Sequence, residues 1–424
     1  MTWAITLTGN GPRGLGVVQI RNAERRAGAY DADAAGDTIG NDADSEFGPM
    51  GAGSALSRWG GWGDVPADPE VRAFSELDAV RPGAPRNNKR HHFISVTYMN
   101  GFTDASSRVY AFRAEDSAPA LHLAPRSIGY QTYYYSQKTG DGGQENHRFE
   151  DLWSPIESVW PETMRAVRGR RLSPAISFNL LGMASIMKAR VPAARERNER
   201  LLAAKLRAEV QVAEELGLLG PELQRYAGQL DTVPVGVNPH QTLLAIMDDI
   251  RAFGDLCFQL GFEIIHNQTD VPFIASDNPV CIYDPEGPLH ARRPYTYGKR
   301  VELIFPLDAR TLLRGTNRLR PVNQVVRHRT MSDPAQARRM NRTVAQFSYR
   351  LVIASDRSSE AMIRRYASTV PTVEIAVRRT PKEVQIVWNH VFGPPPALSP
   401  FIDTPEKAAR LEARMNAAPA SPAG

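Results

Sequence analysis

Cysteine is almost absent from the 424 residues: Cys257 and Cys281 are the two, with neither a CxxC spacing nor a partner pattern around them. That excludes a disulfide framework and a zinc finger, and makes a reducing cytoplasmic location the expectation. Long apolar runs are missing too. The most apolar stretch, 174–187, contains Ser177 and Asn179 and stops at Lys188, short of the roughly 20 residues that a membrane helix needs. No membrane partner is expected. The opening Met1-Thr-Trp-Ala-Ile-Thr-Leu-Thr8 offers neither a basic region nor an apolar run of signal-peptide length. Tight catalytic motifs are lacking as well: His91-His92 stands without HExxH, HNH or D-x-D spacing, and no G-x-S-x-G elbow presents a serine. Cys257 lies in an apolar helical pattern and Cys281 in a strand, settings that argue against a thiolate nucleophile.

Lysine is scarce. The net charge is +5 and nearly all of its positive part is arginine, whose planar fork suits bidentate contact with phosphate or carboxylate. Residues 1–88 hold 8 Arg/Lys and 12 Asp/Glu, hence −4, whereas residues 89–424 hold 43 and 34, hence +9. Nucleic acid or a phosphate-bearing ligand fits such a body, although soluble enzymes reach this surplus without any polyanionic partner. The first 88 residues also carry 14 of the 32 glycines and low-complexity runs such as Tyr30-Asp-Ala-Asp-Ala-Ala35. That composition cannot bury enough apolar surface to offset chain entropy, so this extension is expected to be mostly unfolded. Gly9-Asn-Gly-Pro-Arg-Gly14 formally matches a dinucleotide fingerprint, but Pro12 breaks the turn into a helix, Val17 to Ile20 reads as another strand, and no βαβ unit follows.

From Arg90 onward the texture is that of a folded domain. Val109 to Phe112 and Gly129 to Tyr135 read as strands, followed by a glycine loop at 139–143. Phe149, Leu152, Trp153, Ile156, Trp160, Met164 and Val167 recur at helical spacing, which predicts an amphipathic helix over 149–167. Glu150 and Glu157 sit two turns apart on its shoulder, and Arg165, Arg168, Arg170 and Arg171 cluster at its end, where the helix dipole favours them. Further helices are predicted over 174–188, 193–219, 241–260 and 334–346. Strands are predicted over 300–305, 311–314 and 349–354, with a closing hairpin of 374–377 and 384–388. Helices cluster in the middle and hairpins later, so the predicted class is α+β, an antiparallel sheet built from hairpins and packed against a cluster of helices. The domain plan is the Gly/Asp/Ala-rich extension at 1–88, one large core domain at 89–395, and a C-terminal helix with an Ala/Pro tail at 396–424.

The best-defined strand end is Phe273-Ile-Ala-Ser-Asp-Asn-Pro-Val280. Alternation over 262–267 and again over 273–276 reads as an antiparallel hairpin, with His266 opposite Phe273. Asn278 before Pro279 is pushed away from helical dihedrals, which ends the strand and leaves the Asp277 carboxylate at its rim. Two readings of Asp277 stay open: an acid lining a site, or an acceptor for main-chain N–H groups, with Ser276 also bonding locally.

His92-Phe-Ile-Ser95, Tyr98-Met99 and Phe102 resemble the opening of domain-of-unknown-function family 4238, although Ser95 stands where that family has proline. Tyr133-Tyr134-Tyr135 is similar to its Phe-Tyr-Thr step, and Glu150 with Glu157 to its paired-glutamate helix. Phe273 to Val280, Phe305-Pro-Leu307 and the helix carrying Asn341 match it well. Its Gln-x-x-Arg-Thr-Pro element is kept only in part, as Met187, Arg190, Val191 and Pro192, which puts a polar role there in doubt. The resemblance spans about Arg90 to Asp356 and implies no established activity.

Two readings of function follow. The first is a hydrolase, a metal-assisted nuclease or phosphodiesterase, built from His92, Glu157, Asp277 and Asn341. Carboxylates on a helix and at a strand end can hold a divalent ion as cofactor, the imidazole serves as base or ligand, and Arg190 or Arg195 steadies the substrate phosphate. Against it, Glu157 fits a helix-boundary residue and Asn341 a capping or surface amide. The alternative is a non-catalytic module of a defence or toxin-type system that binds nucleic acid or a protein. It draws on Arg327-His-Arg329, Arg338-Arg339 and the aromatic residues Trp153 and Trp160.

Overall fold

The computed structural model describes residues 3–8, 16–22, 90–114, 118–138, 144–145, 148–224, 226–230, 241–286, 300–319, 326–380 and 383–394. In chain order these form β1 (Trp3–Thr8), β2 (Gly16–Asn22), β3 (Arg90–His92), α1 (Val96–Met99), β4 (Val109–Arg113), β5 (Leu121–Leu123), β6 (Tyr130–Thr132), β7 (Gln137–Lys138) and β8 (Gln144–Glu145). The helical middle follows: α2 (Arg148–Arg168), α3 (Pro174–Ala189), α4 (Pro192–Glu215), the single turn α5 (Pro221–Gln224) and α6 (Gln241–Cys257). Then come β9 (Gly261–Asn267), β10 (Ala275–Ser276), β11 (Cys281–Tyr283), β12 (Glu302–Pro306), β13 (Thr311–Thr316) and β14 (Arg327–Met331). The order closes with α7 (Pro334–Phe347), β15 (Leu351–Ala354), α8 (Glu360–Tyr366), β16 (Val370–Thr380) and β17 (Glu383–Gly393). The class is α+β.

The helices form for reasons visible in their residues. In α2 the stripe Phe149, Trp153, Ile156, Trp160, Met164 and Val167 is buried, while Pro155 and Pro161 interrupt the hydrogen-bond ladder; Pro161 has no N–H to give the Glu157 carbonyl. Ser173 caps α3 by accepting from the Ile176 N–H at 3.2 Å, with Pro174 just inside. Mostly apolar, α3 is a core helix that packs against both α2 and α6. Each of its fully buried Leu180, Met183 and Met187 side chains contributes about 1.5–3 kcal/mol by leaving water. Val191 stays extended ahead of Pro192, which separates α3 from α4.

Three larger sheets surround this middle. Their orders are β11-β12-β13-β9-β14, β10-β15-β4-β5 and β1-β2-β17-β16. All the pairings in them are antiparallel save β14 with β9. The expected hairpin between 262–267 and 273–276 does not form. The Asn267 carboxamide accepts from the Thr269 N–H at 2.9 Å and donates to the Val271 carbonyl at 2.7 Å, an Asx-type turn that sends the chain away from β9. β9 therefore pairs with β13 and β14, and β10 joins β15 in another sheet. Within the extension β1 and β2 pair, and β2 adds to β17. Their alternating apolar residues suffice for strands once β17 supplies a partner edge. The rest of that extension, the 139–143 loop and the C-terminal helix and tail at 396–424 lie outside the described residues.

Candidate functional site

Asp277 ends its strand buried, at 2% exposure. Its Oδ1 accepts the Tyr349 N–H at 2.7 Å, and its Oδ2 accepts those of Arg350 at 2.8 Å and Leu351 at 3.1 Å. The carboxylate thus clasps the segment that leads into β15. Burial pushes it up to about 6 even against these donors. Asn341 on α7 is equally committed, accepting from the Ile274 N–H at 3.2 Å and donating to the Pro272 carbonyl at 2.8 Å. Ser276 bonds locally, its hydroxyl accepting from the Asn278 N–H at 3.2 Å. The main-chain-acceptor reading of Asp277 describes what the structure contains.

A different group of polar side chains comes together where β3, α2 and the α3–α4 junction meet. The period of two in β3 turns His91 inward, fully buried, with its Nδ1 accepting the Tyr135 N–H at 2.9 Å, and leaves His92 half-buried beside Tyr130. The His92 Nε2 faces the Arg126 carbonyl at 3.3 Å. A carbonyl can only accept, so the neutral ring carries its lone pair on Nδ1. Desolvation lowers the proton affinity of His92 most; the Arg126 carbonyl raises it, Arg190 lowers it, and Glu150 and Glu157 raise it. Glu157 pairs with Arg190, Oε1 to Nη1 at 2.6 Å. The Arg190 side chain is 1% exposed and that of Glu157 28%, so the guanidinium is an internal brace and the carboxylate is the part that reaches outward.

The lining of this corner is short of acceptors. Arg190 Nη2 points at the Met187 sulfur at 3.4 Å, a weak acceptor. Its Nε, the Tyr134 hydroxyl and the Trp153 Nε1 are buried donors without an acceptor. Arg195 stacks over the Tyr134 ring at 4.7 Å, donates to the Tyr134 carbonyl at 2.8 Å and faces Glu199 at 3.5 Å. Burial raises Glu199 above the usual carboxylate range, against the pull of Arg195. His92, Glu157, Arg190 and Arg195 thus share one neighbourhood, whereas Asp277 and Asn341 do not join it. Tyr349 meets Asp277 through its N–H and Glu196 on α4 through its hydroxyl.

One polar array went unnoticed in the sequence. Across the five-stranded sheet, Tyr283 donates to Glu302, and Arg314 bridges Glu302 at 2.7 Å and Glu263 at 2.9 Å, with Arg329 facing Glu263 at 3.4 Å. The available signal was a charged residue at one face of β9, β12, β13 and β14. With both carboxylates held by Arg314, the array knits strands together.

The divalent-ion site implied by the four-residue constellation does not fit these residues, since Asp277 and Asn341 are taken by main chain. Among the described residues no group of three or more His, Cys, Asp or Glu side chains is placed to hold a metal ion. Among them, too, no helix is long and apolar enough to cross a membrane. Neither a curated protein nor a solved structure matches the chain. A family model described as "Protein of unknown function (DUF4238)" matches residues 90–358, the span that holds both the clasp and the His92 corner, and the chain belongs to that family.

Proposed function

We propose that the chain is a hydrolase acting on a phosphate ester, with His92 as general base and Glu157 as its carboxylate partner. The observation that carries this reading is the convergence of a half-buried imidazole and an arginine-held carboxylate from two distant segments, beside buried donors that lack acceptors. In this scheme the Nδ1 lone pair of His92 takes a proton from water as the oxygen attacks phosphorus and the ester P–O bond breaks. The proton then passes from the imidazolium to the departing oxygen. Glu157 stabilises the transient imidazolium, and Arg190 is a positioning residue that holds Glu157 in place.

The test is hydrolysis of p-nitrophenyl phosphate mono- and diesters and of a labelled oligonucleotide by the purified chain. His92→Asn and Glu157→Gln should each cost about 100-fold or more in rate, the ordinary worth of a general base. Parental rates in both variants would sink the reading. A binding module is the second reading, favoured by Arg170, just past the end of α2, which bonds Thr330 on β14. It predicts oligonucleotide retention that falls steeply with salt and ignores His92→Asn.

A further inference from the structure

The far end of α2 builds a second polar site that the His92 chemistry does not use. Glu157 and Arg170 are separated by 13 positions, about 20 Å along a helix axis at 1.5 Å per residue. There the chain turns out of α2 with Arg170 in the left-handed region, φ +54°, beside a glycine, Gly169, that would take that conformation without strain. A non-glycine residue so held costs about 1–2 kcal/mol. In that conformation Arg170 reaches β14, where its Nη2 donates to the Thr330 hydroxyl at 2.7 Å.

Next to Thr330, on the same face of the parallel pair β9 and β14, lie His328 and His266. Their rings touch, His266 Nε2 to His328 Nδ1 at 2.8 Å, and His328 also bonds the Arg170 backbone. The shared bond occupies one nitrogen on each ring, so the outer nitrogens cannot meet on one metal ion without breaking it. The charge around the pair is positive. For both rings desolvation is the largest influence lowering proton affinity; His328 and then Arg170 add to it on His266, and on His328 the Arg170 charge adds to it while the bond to the Arg170 backbone opposes it. Asp308 faces His266 from the β12–β13 turn, but its oxygens already hold Arg168 at 2.8 Å and the Arg310 and Thr311 N–H groups at 2.7 Å.

We propose that Arg170, Thr330 and the His266–His328 pair form an anion site for a phosphate group. The guanidinium supplies a fork, Thr330 a hydroxyl, and the imidazoles donors that strengthen on protonation. A dianion placed there reverses the field of Arg170 on both rings, so binding takes up protons and affinity rises as pH falls into the histidine range.

The probe is inorganic phosphate, titrated calorimetrically at low ionic strength against the full chain, with a single-stranded oligonucleotide as competitor. Phosphate should bind more tightly at pH 5.5 than at pH 8. Arg170→Gly, which keeps the left-handed turn, should weaken binding tenfold or more with the melting temperature held or raised. His266→Gln with His328→Gln should flatten the pH dependence. Competition by the oligonucleotide would assign the phosphate to a nucleic-acid backbone, and its failure to compete to a small phosphorylated compound. An absence of phosphate binding, or equal affinity in Arg170→Gly, would overturn the site. A pH slope that survives the double histidine variant would overturn the role of the pair. None of these readouts involves hydrolysis at His92.

Discussion

The Asp277 clasp and the His92 corner are both polar, both inside the family-matched span, and opposite in one respect. In the clasp both carboxylate oxygens and both ends of the Asn341 amide are bonded to main chain. In the corner the Arg190 Nε, the Tyr134 hydroxyl and the Trp153 Nε1 have no acceptor. A buried group with every bond made has nothing left for a substrate. Buried donors without acceptors cost about 1–3 kcal/mol each, a standing debt that a water or ligand oxygen relieves. What separates scaffold from site here is therefore the state of its hydrogen bonds.

The sharpest way to break that contrast is to cut the clasp. Asp277→Ala leaves three N–H groups, one buried and two partly buried, without an acceptor, and the expected loss is about 3 kcal/mol in a urea unfolding titration. Asn341→Ala, with one donor and one acceptor orphaned, should cost about 2 kcal/mol by the same reckoning. If Asp277→Ala unfolds at the parental midpoint yet abolishes hydrolysis, the clasp is the site and the assignment is reversed.

Much of the scaffold could be read from the chain. The α2 stripe, the break at Pro192 and the strands of β12, β13 and β15 follow from period and punctuation. Asp277 could be read as an acceptor of main-chain N–H groups, but its partners at 349–351 are 72 to 74 positions away, and local rules such as the Asx-turn name only neighbours. The same limit hid the Arg190 partner of Glu157, the Tyr134–Arg195 stack and the ladder through Arg314. The failed hairpin has another cause: two apolar runs with five residues between them look continuous, while the side chain of Asn267 decides the direction of exit.

Removing one charge from the corner is the next largest perturbation. Glu157→Gln strands a guanidinium that is 1% exposed, and since its partner is partly solvated the expected loss is about 2 kcal/mol, below the range for a fully buried pair. Glu157→Gln combined with Arg190→Met should recover most of it, and a double-mutant cycle reads the coupling directly. A cycle that sums to zero would mean that Arg190 does not hold Glu157.

Acidification separates Asp277 from the desolvated histidines by sign. His390 is pushed down to about 3, by desolvation first and then by Arg197 and Lys188, and His92, His266 and His328 are lowered as well. For such groups the unfolded chain takes up its proton first as pH falls, so their contribution to stability is complete above about 6.5 and declines below it. Asp277 runs the other way. With its value raised to about 6, the folded state keeps the proton longer, and stability falls as pH climbs from about 4 to 6. His390→Gln should flatten the acid side of the melting-temperature profile, and Asp277→Asn should remove the opposing slope between 4 and 6.

The smallest expected change in stability comes from the residue on which the proposed chemistry depends most. His92 is half-buried, makes a long 3.3 Å contact to the Arg126 carbonyl, and is held away from its charged form by desolvation. His92→Asn keeps a donor for that carbonyl, so the unfolding midpoint should move by less than about 1 kcal/mol equivalent while hydrolysis is lost. That pairing of a silent melt with a dead enzyme is what a site predicts and a scaffold does not. The reverse pairing, a large melt shift with activity retained per folded molecule, would make His92 another element of packing beside His91.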